Sequence, residues 1–197
     1  MSPFRLGAIL GGIAILPAWG TAHDRNDSDL LPGCMEPKRI AMILAKAHAQ
    51  PPLQRSQLSQ FGFSSLHEMN CDIAKGPAYL RWNGRVIEDE CECCVDFITD
   101  HASDSETGDV STVLLNWSST SFEQTLAAVR AWLDAVAAPE RQEWLRQLQR
   151  WSLDEEFARR SSWQEHGRVV MLEVHVYAAR GGWRTGFSIS HDPLPNP

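Results

Sequence analysis

The stretch VVMLEVHVYAARGGWRTGFSI, residues 169–189, decides the fold class. Val170, Leu172, Val174 and Val176 alternate with other residues, and Trp183, Thr185, Phe187 and Ile189 alternate again after Gly181-Gly182. Side chains two apart on a strand share a face, so each run reads as a strand with one buried side. A two-residue turn at Gly181-Gly182 pairs Arg180 with Trp183, Val176 with Phe187 and Val174 with Ile189. That register puts both apolar sets on one face, and a one-residue slip would turn every one of them outward.

A hairpin with one apolar face needs a cover, and the preceding residues supply it. Ser121 with Gln124, or Thr120 with Glu123, makes a capping box. Phe122, Leu126, Val129, Trp132, Leu133 and Val136 then form a helical stripe. Pro139 starts a second helix with Trp144, Leu145, Leu148 and Trp151 on one face. Ser152 and Glu155 predict a third short helix through about Arg160. Further upstream, Ile40, Ile43, Leu44 and Ala47 mark a helix over residues 36–48, ended by Pro51-Pro52. Residues 53–60 suggest a short helix, and residues 110–117 a strand. Asn83-Gly84 predicts a tight turn between short arms at residues 78–82 and 85–87.

These readings give an α+β class. An antiparallel sheet including a C-terminal hairpin (about 169–190) packs against a block of helices (about 120–160). Helices in blocks, rather than one after each strand, argue against a doubly wound sheet. Residues 34–197 are expected to form a single domain.

The N-terminus reads as a targeting segment. Arg5 precedes an apolar run of eleven residues, 6–16, then Pro17 and the small residues Gly20 and Ala22. This is a secretory signal peptide with cleavage after Ala22, too short for a bilayer span of roughly 20 residues. The expected location is periplasmic or secreted, with no stable membrane anchor after cleavage. Residues 23–33 form a polar leader. Without residues 1–22 the chain carries 17 Lys+Arg against 25 Asp+Glu, a net charge of −8. An acidic chain argues against nucleic acid and anionic membrane as partners.

Five cysteines, Cys34, Cys71, Cys91, Cys93 and Cys94, sit in a chain expected to be exported. Disulfides are the default there, and an odd number leaves one thiol over. Cys91, Cys94, Val95 and Ile98 follow helical spacing over residues 88–101, so Cys91 and Cys94 are expected on an inward helical face, with Cys71 a partner for one of them. Cys34, Cys71, Cys91 and Cys94 are the disulfide candidates. A redox C-x-x-C at Cys91–Cys94 is disfavoured because Glu88, Asp89, Glu90 and Glu92 oppose a thiolate. A zinc site from Cys91, Cys93, Cys94 and His101 lacks the second cluster that makes such a signature strong. His67-Glu68 begins a zinc-protease helix, but Cys71 stands where the second His belongs. No metal or cofactor is expected.

Two patterns remain as candidate sites. Glu173 and His175 share the outer face of the last hairpin with Ser188, an arrangement open to acid–base and nucleophile chemistry as well as to ordinary cross-strand bonding. The other is charge. Residues 88–109 hold nine acids and no Lys or Arg. On a helix, Glu92, Asp96 and Asp100 would line one face at four-residue steps, with Asp104 just beyond, a repulsive row that suits docking of a basic protein. The function expected is therefore a non-catalytic, exported binding protein of the inhibitor or immunity type, contacting a basic partner through Glu92, Asp96, Asp100 and Asp104. The alternatives are a small extracytoplasmic hydrolase using Glu173, His175 and Ser188, or a divalent-metal or redox protein using the Cys/acid-rich segment.

Overall fold

The computed structural model describes residues 33–63, 66–68, 79–87, 90–99, 108–151, 155–179 and 181–194. Helix α1 spans Pro37–His48, a 3₁₀ helix Arg55–Phe61, α2 Phe122–Ala135 and α3 Arg141–Gln149. The strands are β1 His67–Glu68, β2 Tyr79–Ile87, β3 Glu90–Thr99, β4 Val110–Ser119, β5 Phe157–Glu165, β6 Arg168–Ala179 and β7 Gly182–Pro193. Among the described residues they form one antiparallel sheet in the order β1-β2-β3-β4-β7-β6-β5. The arrangement is α+β, and the helices cover one sheet face.

Alternation along the central strands builds the core. Val113, Leu115 and Trp117 of β4, Phe187 and Ile189 of β7, and Leu172, Val174 and Val176 of β6 are all buried. They meet Ile40, Ile43 and Leu44 of α1, Val129, Trp132 and Leu133 of α2, and Leu148 of α3 in one continuous cluster. Trp132 packs edge-on against both Trp117 and Phe187, each at 5.6 Å between ring centroids. Both indoles also need a polar partner once buried. Trp117 Nε1 donates to Met35 O at 3.0 Å, and Trp132 Nε1 donates to Pro37 O at 3.1 Å. These bonds fix the entry of α1 over β4 and α2. Ser121 caps α2 by accepting from the Gln124 amide at 3.2 Å.

Several expectations need correction. The C-terminal hairpin exists, but Val176 pairs with Thr185, Val174 with Phe187 and Leu172 with Ile189. This is a shift of two residues, so the apolar face survives. β6 ends at Ala179 and β7 begins at Gly182, and Gly181 just before it takes φ 87°, a left-handed conformation that suits glycine. Gly182 belongs to β7, because a Cβ there would collide with the Ser119 carbonyl oxygen.

The helix expected over residues 88–101 is strand β3. Cys93, Val95, Phe97 and Thr99 alternate inward and are buried. Both periods fit this segment; pairing with β2 on one side and β4 on the other selects the strand.

The hairpin expected around Asn83-Gly84 is one strand, β2, with a register irregularity beside Gly84. Gly84 serves a close approach instead of a turn, since a Cβ would strike the Gly33 carbonyl oxygen and the Trp82 ring. The third helix, expected at residues 152–160, gives way to β5 from Phe157. The edge of β6 offers a full ladder, and Phe157 pairs with Val176.

The disulfide joins Cys34 to Cys93, not to Cys71, Cys91 or Cys94. It ties the start of α1 to the inner face of β3. Cys94 is free and buried. On a strand, neighbours point to opposite faces, which separates Cys94 from Cys93. Cys71 and residues 1–32 lie outside the described residues. No helix among the described residues is long and apolar enough to cross a membrane.

Candidate functional site

The strand assignment of residues 90–99 changes the acidic segment. A strand rises about 3.3 Å per residue against 1.5 Å for a helix, so Glu92 and Asp96 stand about 13 Å apart along β3 and not one turn apart. Glu92 and Asp96 lie on the face away from the helices, in register with neighbouring arginines. Arg81 Nε and Nη2 donate to Asp96 Oδ1 and Oδ2 at 2.6 and 2.7 Å. Arg184 Nη2 lies 3.6 Å from Glu92 Oε1. Asp100 and Asp104 lie outside the described residues. The connection they occupy leaves β3 at Thr99 and returns through Asp109, which bridges to Gln54 and sits 3.7 Å from Arg168.

Glu173, His175 and Ser188 do share the helix-free face. Glu173 stands opposite Ser188, while His175 stands opposite Gly186. His175 Nδ1 is 2.8 Å from Glu156 Oε1, and Arg160 Nε is 3.0 Å from Glu173 Oε1. Glu173 and His175 are each engaged by a charged neighbour, and His175 makes no hydrogen bond to Ser188. The C-x-x-C spacing of Cys91 and Cys94 falls on strand β3, not at a helix start. Among the described residues no group of His, Cys, Asp and Glu is arranged to hold a metal ion.

A further polar cluster, absent from the sequence reading, gathers at one end of the sheet. The end of α1 brings His48, the end of β5 brings Glu165, the β5–β6 turn brings His166, and β7 brings His191. They line a cavity of about 260 Å³ with Gln50, Arg168 and the apolar Ala47, Pro51, Pro52 and Val170. His191 continues the inward alternation of Thr185, Phe187 and Ile189, which places an imidazole in the core margin. His48 Nδ1 is 2.8 Å from His191 Nε2. His48 Nε2 lies 3.1 Å from Glu165 Oε2, and His166 Nε2 lies 3.6 Å from Glu165 Oε1. Trp163 Nε1 donates to Glu165 Oε2 at 2.8 Å.

Burial and the neighbouring His48 push His191 down to about 4. Burial likewise lowers His48, against the opposing pull of Glu165. The Trp163 hydrogen bond holds Glu165 below the usual carboxylate range. At neutral pH the cluster is thus two neutral buried imidazoles beside an ionised carboxylate.

A short row of polar contacts thus runs from His191 through His48 to the Glu165 carboxylate, and Trp163 and His166 close on the same carboxylate.

The sequence signal for His191 was the alternation itself. His48 and Glu165 carry none, since they meet only through tertiary packing. The chain matches no protein-family model, no curated protein and no solved structure.

Proposed function

We propose that this chain is an exported binding protein, of the inhibitor or immunity type, whose partner is a basic protein. The observation that carries the reading is the run of nine acids without Lys or Arg at residues 88–109. Glu92 and Asp96 on β3 are matched by Arg184 and Arg81. The connection at residues 100–109 holds Asp100, Asp104, Glu106 and Asp109 with no Lys or Arg of its own. We assign docking to the acids of residues 100–109, in place of a continuous helical row. Local charge of one sign speeds encounter with an oppositely charged protein. The Cys34–Cys93 bridge is compatible with an oxidising compartment, as is the signal-like N-terminus.

The test is capture from the extracytoplasmic fraction on the immobilised chain lacking residues 1–22, at stepped salt, with D100N/D104N/E106Q beside it. The reading expects a stoichiometric basic protein, retained at low salt and reduced by the triple variant. Capture of an acidic or neutral protein, or of nothing, would overturn it.

A further inference from the structure

Residues 48–52 run along the histidine cavity as a short strap between two buried anchors. Ala47 at one end is 2% exposed and Leu53 at the other 0%, while Ala49, Gln50 and Pro51 between them are exposed. The strap lines the cavity from one side, and Glu165, His166, Arg168 and His191 line it from the sheet. Polar contacts join the two. His48 Nδ1 meets His191 Nε2 at 2.8 Å, and His48 Nε2 meets Glu165 Oε2 at 3.1 Å. Gln50 Nε2 donates to the His166 carbonyl at 3.1 Å. The paired imidazoles tolerate one added proton and not two. A His48 imidazolium has an N–H on each side, one for His191 and one for Glu165. A second proton puts N–H at both nitrogens of His191 as well, so two donors and two positive charges face each other at 2.8 Å whichever tautomers they start from. Glu165 of β5 compensates one of these charges. His166, once protonated, and Arg168 of β6 add positive charge beside them, with Asp109 next to Arg168. From β4, the backbone of Ser111 bonds His191.

We propose that residues 48–52 are an acid-released strap: protonation of both His48 and His191 breaks its hold on the sheet and opens the cavity while the rest of the fold stays in place. The release is local because the exposed residues of the strap contribute nothing to the core, and their anchors Ala47 and Leu53 are held by apolar burial. Local openings of this kind cost less than global unfolding. Burial holds His48 below its ordinary value, and burial together with His48 brings His191 down to about 4. The strap is therefore closed at neutral pH and opens as pH falls toward 4.

NMR relaxation of the mature chain, stepped from pH 7.0 to 4.5 and read only from the resonances of the folded form, tests this. Backbone order parameters at Ala49 and Gln50 should fall from the rigid range of about 0.85 to below about 0.6, while those of Leu172 and Val174 in β6 stay unchanged. The nuclear Overhauser contact between the His48 and His191 rings should disappear over the same steps. H191Q, which cannot take the second proton, should keep Ala49 and Gln50 ordered down to pH 4.5. H48Q gives the same test should H191Q fail to fold. E165Q removes the carboxylate that compensates the first proton and should move the release upward by about one pH unit. A strap that stays ordered until the whole chain unfolds, order lost equally in the strap and in β6, or release unchanged in the folded histidine variant would each overturn the proposal. So would release at the wild-type pH in folded E165Q.

Discussion

Acidification should unfold this protein through His191 before its carboxylates matter. The side chain is 7% exposed and its folded-state value is about 4, against an ordinary 6.5. A base with a depressed folded value is neutral in both states above pH 6.5, so its contribution is constant there. As pH falls below 6.5 the unfolded chain takes up a proton that the folded chain refuses, and stability drops. The loss approaches about 1.4 kcal/mol per pH unit, reaching about 2 kcal/mol at pH 5 and levelling near 3 kcal/mol below pH 4. His48 shifts in the same direction and steepens the decline. Glu165, lowered by its Trp163 bond, adds its own loss only below the ordinary carboxylate range. Urea unfolding at pH 7.5, 6.5, 5.5 and 5.0 measures this directly. H191Q keeps a polar group but cannot titrate; it should be less stable at pH 7.5 and visibly flatter down to pH 5. A wild type with constant stability from pH 7.5 to 5, or an H191Q profile parallel to it, would refute the reasoning.

Replacing both ends of the Cys34–Cys93 bridge by serine should lower stability by about 2–4 kcal/mol, since the bridge closes a loop with a separation of 59 residues; an unchanged urea midpoint would contradict it. Cys94 should resist alkylation in the native protein and react on unfolding, as its 2% exposure requires, which mass spectrometry of labelled peptides would show. Trp132→Ala should cost about 3–5 kcal/mol, from lost packing and the orphaned Pro37 carbonyl. Gly182→Ala should cost about 1–3 kcal/mol by pushing β7 off Ser119, and a neutral effect would disprove the hairpin register.

The parts of the fold readable in the sequence were those governed by one period. The stripe from Val129 to Val136 and the alternation from Val170 to Val176 admit one reading each, and α2 and β6 follow them. Residues 90–99 satisfy two periods at once, and only the strands on either side decide between them. That choice moved Cys94 to the outer face and made Cys93 the bridging cysteine. Gly84 and Gly182 were misread for a shared reason. Glycine marks both turns and close approaches, and the approaching groups, Gly33 and Ser119, are remote in sequence. The histidine cavity was hidden more deeply, because His48 and His191 are 143 residues apart. No spacing rule joins residues brought together by a helix end and a strand end.

The central claim is that the charge at residues 100–109 recruits a basic protein, and association kinetics test it most directly. The captured partner should be passed over immobilised wild type and D100N/D104N/E106Q at 50, 150 and 500 mM salt, ~50 to ~500 mM spanning Debye lengths from more than to less than about 8 Å. The account predicts association about tenfold slower for the triple variant at the lowest salt, with the gap closing as salt rises and dissociation nearly unchanged. Equal association rates at every salt concentration would contradict it.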